Sequence, residues 1–174
     1  MNIQQHKTFQ YCPKCGAEGF VKKSEKLFIC DRCNFNFYMN TAAAVAGIIQ
    51  NESDKILMTI RKFDPMPGKL DLPGGFVDAN ETAEEALIRE IKEELNLDIA
   101  SLKYYISIPN FYHFREVTYH TLDLIYFCSV KNFDNIKAGD DVRGYRFLHV
   151  GEIDVNRDVG LNSIKNIIKQ LKDR

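Results

Sequence analysis

The chain has 174 residues, room for one full domain and at most a small accessory module, which excludes a large multidomain machine. Hydrophobic residues make up 45% and charged residues 27%, close to the averages for folded proteins, so disorder, collagen-like repeats and low complexity are excluded. Lys and Arg total 23 against 24 Asp and Glu, a formal charge of -1, so no global field draws the chain to nucleic acid or to an anionic membrane.

The N-terminus, MNIQQHKTFQ, is polar and lacks a secretory apolar region. No apolar run reaches the roughly 18 residues of a membrane helix. The expectation is a cytoplasmic protein, in which cysteines serve as metal ligands or core thiols rather than disulfides.

Residues 1–40 hold four of the five cysteines and none of the long apolar runs. A module of about forty residues rarely folds on a hydrophobic core alone. Cys12-Pro-Lys-Cys15 and Cys30-Asp-Arg-Cys33 are two Cys-x-x-Cys knuckles, the pattern in which two tight turns offer four thiolates to one tetrahedral zinc. Gly16 and Asn34 follow them, residue types that accept the left-handed turn conformation. Four sulfur ligands leave no position for water, so the zinc is expected to be structural. The expected boundary is Asn40-Thr41, with a zinc ribbon over 1–40 and a second domain over 41–174.

In that second domain, 42–50, 55–61, 102–108, 118–130 and 145–150 read as strands. The stretch 81–95 reads as a helix with Ala83, Ala86, Leu87, Ile91 and Leu95 on one stripe. Leu161, Ile164, Ile167, Ile168 and Leu171 form a second stripe near the end. Strands around two helices imply a layered α/β domain. Cys128 reads as a small core side chain.

The first helix carries Glu81, Glu84, Glu85, Glu90, Glu93 and Glu94 against Arg89 and Lys92. Glu90 lies three and four residues before Glu93 and Glu94, so these carboxylates share a face and repel. They also sit in the C-terminal half, where the helix dipole disfavours negative charge. A hard divalent cation, Mg2+ or Mn2+, would offset both effects. Glu84 and Glu85 read as a solvated face. Upstream, Pro73-Gly74-Gly75 permits a tight turn whose backbone can approach a metal or phosphate.

From Gly75 the chain reads Gly, five residues, Glu81, seven residues, Arg89-Glu90-Ile91-Lys92-Glu93-Glu94-Leu95, then Asn96-Leu97. This resembles the Nudix box, with Asn96 standing where the family has Gly; Asn is the next best residue for a left-handed helix cap. The resemblance covers about residues 41–174. It implies a Nudix α/β/α sandwich with a mixed sheet, preceded here by the four-cysteine ribbon. It implies Mg2+ ligands at Glu90, Glu93 and Glu94, with the Gly74 carbonyl added, and an Arg89–Glu81 pair that orients the helix. The general base is left between Glu90 and Asp140 or Asp141. The implied reaction is metal-dependent hydrolysis of a nucleoside diphosphate linked to another moiety.

A zinc ribbon before a Nudix domain resembles the NADH pyrophosphatase and ADP-ribose pyrophosphatase group. Those enzymes carry Ser-Gln-Pro-Trp-Pro-Phe-Pro downstream of the box, where this chain has Ser107-Ile-Pro109-Asn-Phe-Tyr-His113. Ser107 and Pro109 match and the Trp-Pro-Phe-Pro part does not. The expectation is a substrate loop with Phe111 and Tyr112 as ring contacts and Arg61 as a further substrate contact. His6, His113, His120 and His149 are scattered and read as surface or core residues. Relatives with this architecture imply a homodimer.

Two other functions stay open. One is a house-cleaning nucleoside triphosphate pyrophosphohydrolase. The other is a non-catalytic nucleotide sensor whose ribbon binds nucleic acid through Lys14, Lys22, Lys23, Lys26 and Arg32, with Phe20 and Phe28 stacking on bases. Retention of every box carboxylate argues against the second.

Overall fold

The computed structural model describes residues 8–173; residues 1–7, with the polar N-terminal stretch and His6, and Arg174 lie outside the described residues. The first sheet is a three-stranded antiparallel ribbon of β1 (Phe20–Lys22), β2 (Leu27–Cys30) and β3 (Asn36–Tyr38). Its interior is Phe20 and Phe28, stacked with centroids 5.4 Å apart, with Phe9 against Phe28. Both rings are buried, so they form the ribbon core and are not free to stack on nucleic-acid bases.

The second unit has two three-stranded sheets. In one, β4 (Ala42–Ile49) runs parallel to β8 (Val117–Val130), which pairs antiparallel with β7 (Ile99–Phe114), so this sheet is mixed. In the other, β5 (Ile56–Arg61) lies between β6 (Leu70–Asp71) and β9 (Val142–Leu148). Alternation along the strands divides the core between two helices. Val45, Ile49, Leu57 and Tyr126 pack with Leu87, Ile91 and Leu95 of α1 (Ala83–Leu95). Ala46, Ile48, Ile56, Met58 and Ile125 pack with Ile164, Ile167 and Ile168 of α2 (Asn162–Lys172). The result is the α/β/α sandwich. Ile91 is fully buried, and its truncation to Ala should cost about 2–5 kcal/mol. Gly47 lets α1 approach β4, because a Cβ there would stand 3.0 Å from both Ile91 Cδ1 and Cys128 Sγ. Cys128 is a buried core thiol, as its strand position implies.

Two boundaries differ from the sequence reading in ways that matter for the site. Helix α1 starts at Ala83, because Thr82 caps it: the Glu85 N–H donates to Thr82 Oγ1 at 3.2 Å and the Thr82 N–H donates to Glu85 Oε2 at 2.9 Å. Glu81 therefore lies outside the helix. At the other end Asn96 adopts the left-handed conformation at φ 53°, as its place in the pattern implies. The second difference is the expected substrate loop, which is strand: β7 pairs with β8 through Asn110↔Thr121 and Tyr112↔Tyr119 to Phe114↔Val117. Pro109 is accommodated because β7 is an edge strand, where a missing N–H breaks no ladder on the outer side.

Candidate active site and metal centre

The two knuckles of the ribbon are built alike. Gly16 N–H returns to Cys12 O at 2.8 Å and Asn34 N–H to Cys30 O at 2.9 Å, with Gly16 and Asn34 at φ 70° and 54°. The turns bring Cys12 Sγ to 3.7 Å from Cys33 Sγ and Cys15 Sγ to 3.8 Å from Cys30 Sγ. Among the described residues this quartet is the one set of three or more His, Cys, Asp or Glu whose ligand atoms all lie within 4.8 Å of one another. The Cys33 N–H directed at its sulfur holds the Cys30 thiol down at about 7, whereas burial pushes the Cys33 thiol up, so the ion itself would have to draw the proton from Cys33.

A cavity of about 300 Å3 opens between the two sheets of the sandwich. One wall is the Gly74-Gly75 turn and the acidic face of α1. The turn lies along β4, with Gly47 N–H donating to Pro73 O at 2.9 Å and Val45 N–H to Gly75 O at 2.8 Å. Gly74 sits at φ 144°, and a Cβ there would collide with Val45 O; a Cβ on Gly75 would collide with the Glu90 carboxylate. At Gly74, where the clash is with backbone, only glycine permits this approach; at Gly75 a side chain would instead displace the Glu90 carboxylate. The Gly74 N–H donates to Glu94 Oε2 at 3.0 Å, tying the turn to the helix.

Arg89 is the hub of the acidic face. Its Nε and Nη2 reach Glu81 Oε1 and Oε2, both at 2.9 Å, while Nη1 reaches Glu90 Oε1 at 2.8 Å and Glu93 Oε2 at 3.1 Å. Nη2 also donates to Phe76 O at 3.1 Å, linking the helix to the strand-like segment after the turn. Burial raises Glu90 against this pairing. Glu94 is 7% exposed, and burial pushes it up to about 9, with Asp71, Glu90 and Asp141 adding repulsion against the lowering contact from Gly74.

The facing wall carries Arg61, held by Asp71 Oδ2 and Pro65 O at 2.6 Å each and facing Tyr112 Oη at 3.4 Å. Burial lifts Asp71 above the usual carboxylate range in spite of Arg61. Tyr112 meets Phe76 edge-on at 5.5 Å, and both rings line the cavity. Asp140 and Asp141 stand at its lip, their carbonyls fixed by Lys62 Nζ at 3.0 Å and Lys62 N–H at 2.9 Å.

Gly74, Arg61, Arg89, Glu90, Glu93, Glu94, Tyr112 and Asp141 thus converge on one cavity, with Glu81 behind Arg89. Phe111 does not join them. It is 63% exposed and packs on His120 across the hairpin at 5.1 Å, because neighbours along a strand point to opposite faces. Glu84 and Glu85 are not merely solvated: Glu84 accepts from Tyr126 Oη at 2.9 Å and Glu85 closes the capping box. Residues the sequence reading missed are Asp71, Asn110, Thr121 and Asp123, all buried and all lining the cavity. Polar residues at inward positions of otherwise apolar strands are the signal that marks them.

The box residues suit the divalent ion that the fold implies. Glu94 is a buried carboxylate among carboxylates, and a cation between these oxygens would relieve both its burial and its repulsion.

Comparison with known proteins agrees with the geometry. The chain is 37% identical over 125 residues to an ADP-ribose pyrophosphatase of Methanocaldococcus jannaschii, covering 71% of this chain and 70% of that protein. It is 34% identical over 104 residues to the NAD-capped RNA hydrolase NudC of Photorhabdus laumondii, a match to 60% of this chain and 40% of the relative's length. Among solved structures, a NUDIX hydrolase from Nitrosomonas europaea superposes with a TM-score of 0.70 at 24% identity, covering 95% of this chain and 92% of that one, which shows the shared fold. With the NUDIX domain model matching residues 40–171, most of the length, the chain belongs to the Nudix family of hydrolases.

Proposed function

We propose that the chain hydrolyses the diphosphate of a nucleoside diphosphate linked to a second moiety, of the ADP-ribose or NAD type, with Mg2+ or Mn2+. The observation that carries this reading is Glu94, a carboxylate buried in the cavity wall with the carboxylates of Glu90, Asp71 and Asp141 around it. The similarity to an ADP-ribose pyrophosphatase over 70% of that protein supports the substrate class.

In this reading Glu90, Glu93 and Glu94, with Gly74, hold the ion, which when bound neutralises phosphate charge and acidifies water. Arg89 keeps those carboxylates on one face by anchoring to Glu81 and Phe76 O. Asp141 is the carboxylate assigned to take the proton of the attacking water, since it lines the same cavity as Glu94 and adds to the repulsion there. Arg61 and Tyr112 contact the substrate from the opposite wall. The ribbon, residues 1–40, holds structural zinc through Cys12, Cys15, Cys30 and Cys33, and the hydrolase domain spans 41–174.

A substrate panel with Mg2+ tests the reading: ADP-ribose, NAD+, NADH, diadenosine polyphosphates, nucleotide sugars and nucleoside triphosphates. The expected outcome is cleavage of ADP-ribose or a nicotinamide dinucleotide into two monophosphates at the highest kcat/KM. A nucleoside triphosphate as best substrate, with pyrophosphate released, would replace this reading with the house-cleaning one.

A further inference from the structure

The wall of the cavity formed by β7 and β8 is polar, and the hydrolytic chemistry does not use it. Asn110 and Thr121 are cross-strand partners, and Asp123 lies two residues along β8, so the three side chains share one face of the sheet. All three are buried, at 5%, 3% and 7% exposure, and all line the cavity. On the adjoining strand Asp123 faces Ala44, a small residue that leaves space above the carboxylate.

The hydrogen bonds fix which way the amide points. Thr121 Oγ1 donates to Asp123 Oδ1 at 2.7 Å and Asn110 Nδ2 donates to Asp123 Oδ2 at 3.1 Å. A carboxylate only accepts, so the amide cannot turn over without setting its oxygen against Asp123. Asn110 Oδ1 is left without a hydrogen bond; among the described residues Ser163 Oγ is the other such buried side-chain atom, and Ser163 does not line the cavity. An orphaned buried acceptor is costly unless something donates to it. Asn110 Oδ1 therefore lacks the N–H that would satisfy it.

We propose that Asn110, oriented by Thr121 and Asp123, reads the substrate's ring, selecting one that bears an N–H donor, such as the exocyclic amine of an adenine-type base or a ring carboxamide, over one bearing only acceptors. The inference rests on the hydrolase reading above and names the part of the substrate this wall accepts. Asn110 is the contacting group and Asp123 a positioning residue.

The test compares ligands that differ in that one group. Calorimetry on the full chain with Ca2+ measures AMP against purine ribonucleoside 5′-monophosphate, which lacks the amine and has no ring N–H, and nicotinamide mononucleotide against its 3-acetylpyridine analogue, which keeps the carbonyl and lacks the N–H; kcat/KM with Mg2+ is measured for ADP-ribose and its unsubstituted-purine analogue. The donor-bearing member of at least one pair should bind about tenfold or more tightly, the size expected of a good directional base contact. Preference in the AMP pair identifies an adenine-type base, and preference in the nicotinamide pair identifies a carboxamide. Asn110→Leu should bring the ratio close to one. Asp123→Asn, which lets the amide of residue 110 turn over, should do the same while its circular dichroism spectrum stays that of the folded chain. A merely structural role would weaken both members equally and leave the ratio unchanged, and that result overturns the proposal, as does equal binding within both pairs by the wild type. Donor preference in binding without hydrolysis of any diphosphate would uphold this inference and remove the hydrolase reading; hydrolysis with no donor preference would do the reverse.

Discussion

Arg89 grips Glu81 in a two-point fork, Nε to Oε1 and Nη2 to Oε2, each at 2.9 Å, across the start of the helix that carries the acidic face. A planar guanidinium fits this geometry and an ammonium does not. Because the same guanidinium reaches Glu90, Glu93 and Phe76 O, it sets the position of the proposed metal ligands relative to the Gly74-Gly75 turn. Arg89→Lys is therefore expected to keep the charge, lose the register and lower kcat/KM by about tenfold or more, with a raised Mg2+ requirement. Steady-state kinetics across a Mg2+ titration measures both, and unchanged values would show that the fork is not needed for positioning.

Much of this wall was legible because its residues are contiguous. The pattern from Gly75 to Leu97 lies on one turn and one helix, so spacing alone puts Glu90, Glu93 and Glu94 together. The four cysteines were legible for the same reason. Asn110, Thr121 and Asp123 were not, because their meeting depends on the register of two strands, and register is set by the whole sheet. The strand beyond Ile108 was masked because the resemblance put a substrate loop there. The Thr82-x-x-Glu85 capping box was present in the sequence, but the run of glutamates starting at Glu81 concealed the true helix start.

The pH dependence of the metal-free protein follows from Glu94. Its carboxyl sits at about 9 in the folded chain against an ordinary 4.5, so between those values the folded state binds more protons than the unfolded one. Stability then falls as pH rises through the window, with no contribution from this group to the slope below or above it. Thermal melts in chelator should show Tm dropping from pH 5 to pH 9, and Glu94→Gln should flatten the drop. Added Mg2+ should restore Tm most at the alkaline end, where the proton no longer competes for the carboxylate. A wild-type and Glu94→Gln pair with parallel profiles would contradict the assignment.

Ligand and base roles separate by comparing two variants. Glu94→Gln should lower turnover by at least about a hundredfold and weaken Mn2+ binding, because an amide cannot balance metal charge. Asp141→Asn should lower kcat by about a hundredfold or more, the usual range for a lost general base, with Mn2+ affinity nearly intact. Electron paramagnetic resonance titration with Mn2+ reads affinity independently of turnover. Equal loss of Mn2+ affinity in both would make Asp141 a ligand instead.

The ribbon should carry about one zinc per chain, and its loss should be local. Its aromatic core of Phe9, Phe20, Phe28 and Phe37 is a cluster of its own, too small to hold the module without the metal. Cys30→Ser should abolish zinc in metal analysis and deprotect residues 8–40 in hydrogen exchange, while amides of α1 and β8 keep their protection. Purified protein without zinc, or exchange spreading through the sandwich, would refute this.

The last expectation separates two neighbours on β7. Tyr112 lines the cavity beside Arg61 and Phe76, whereas Phe111 points outward onto His120. Tyr112→Ala removes a ring edge and the hydroxyl facing Arg61, contacts worth together about 1–2 kcal/mol. At 1.4 kcal/mol per decade, kcat/KM for ADP-ribose or a dinucleotide should fall by about tenfold. A nucleoside triphosphate, lacking a second ring or ribose beyond the diphosphate, should lose much less. Phe111→Ala should leave both substrates within about twofold, since an exposed ring on the opposite face of the strand touches neither. Should Phe111→Ala prove the more damaging change, the edge strand would have to turn over its face on substrate binding, and the cavity wall described above would not be the surface that meets the substrate.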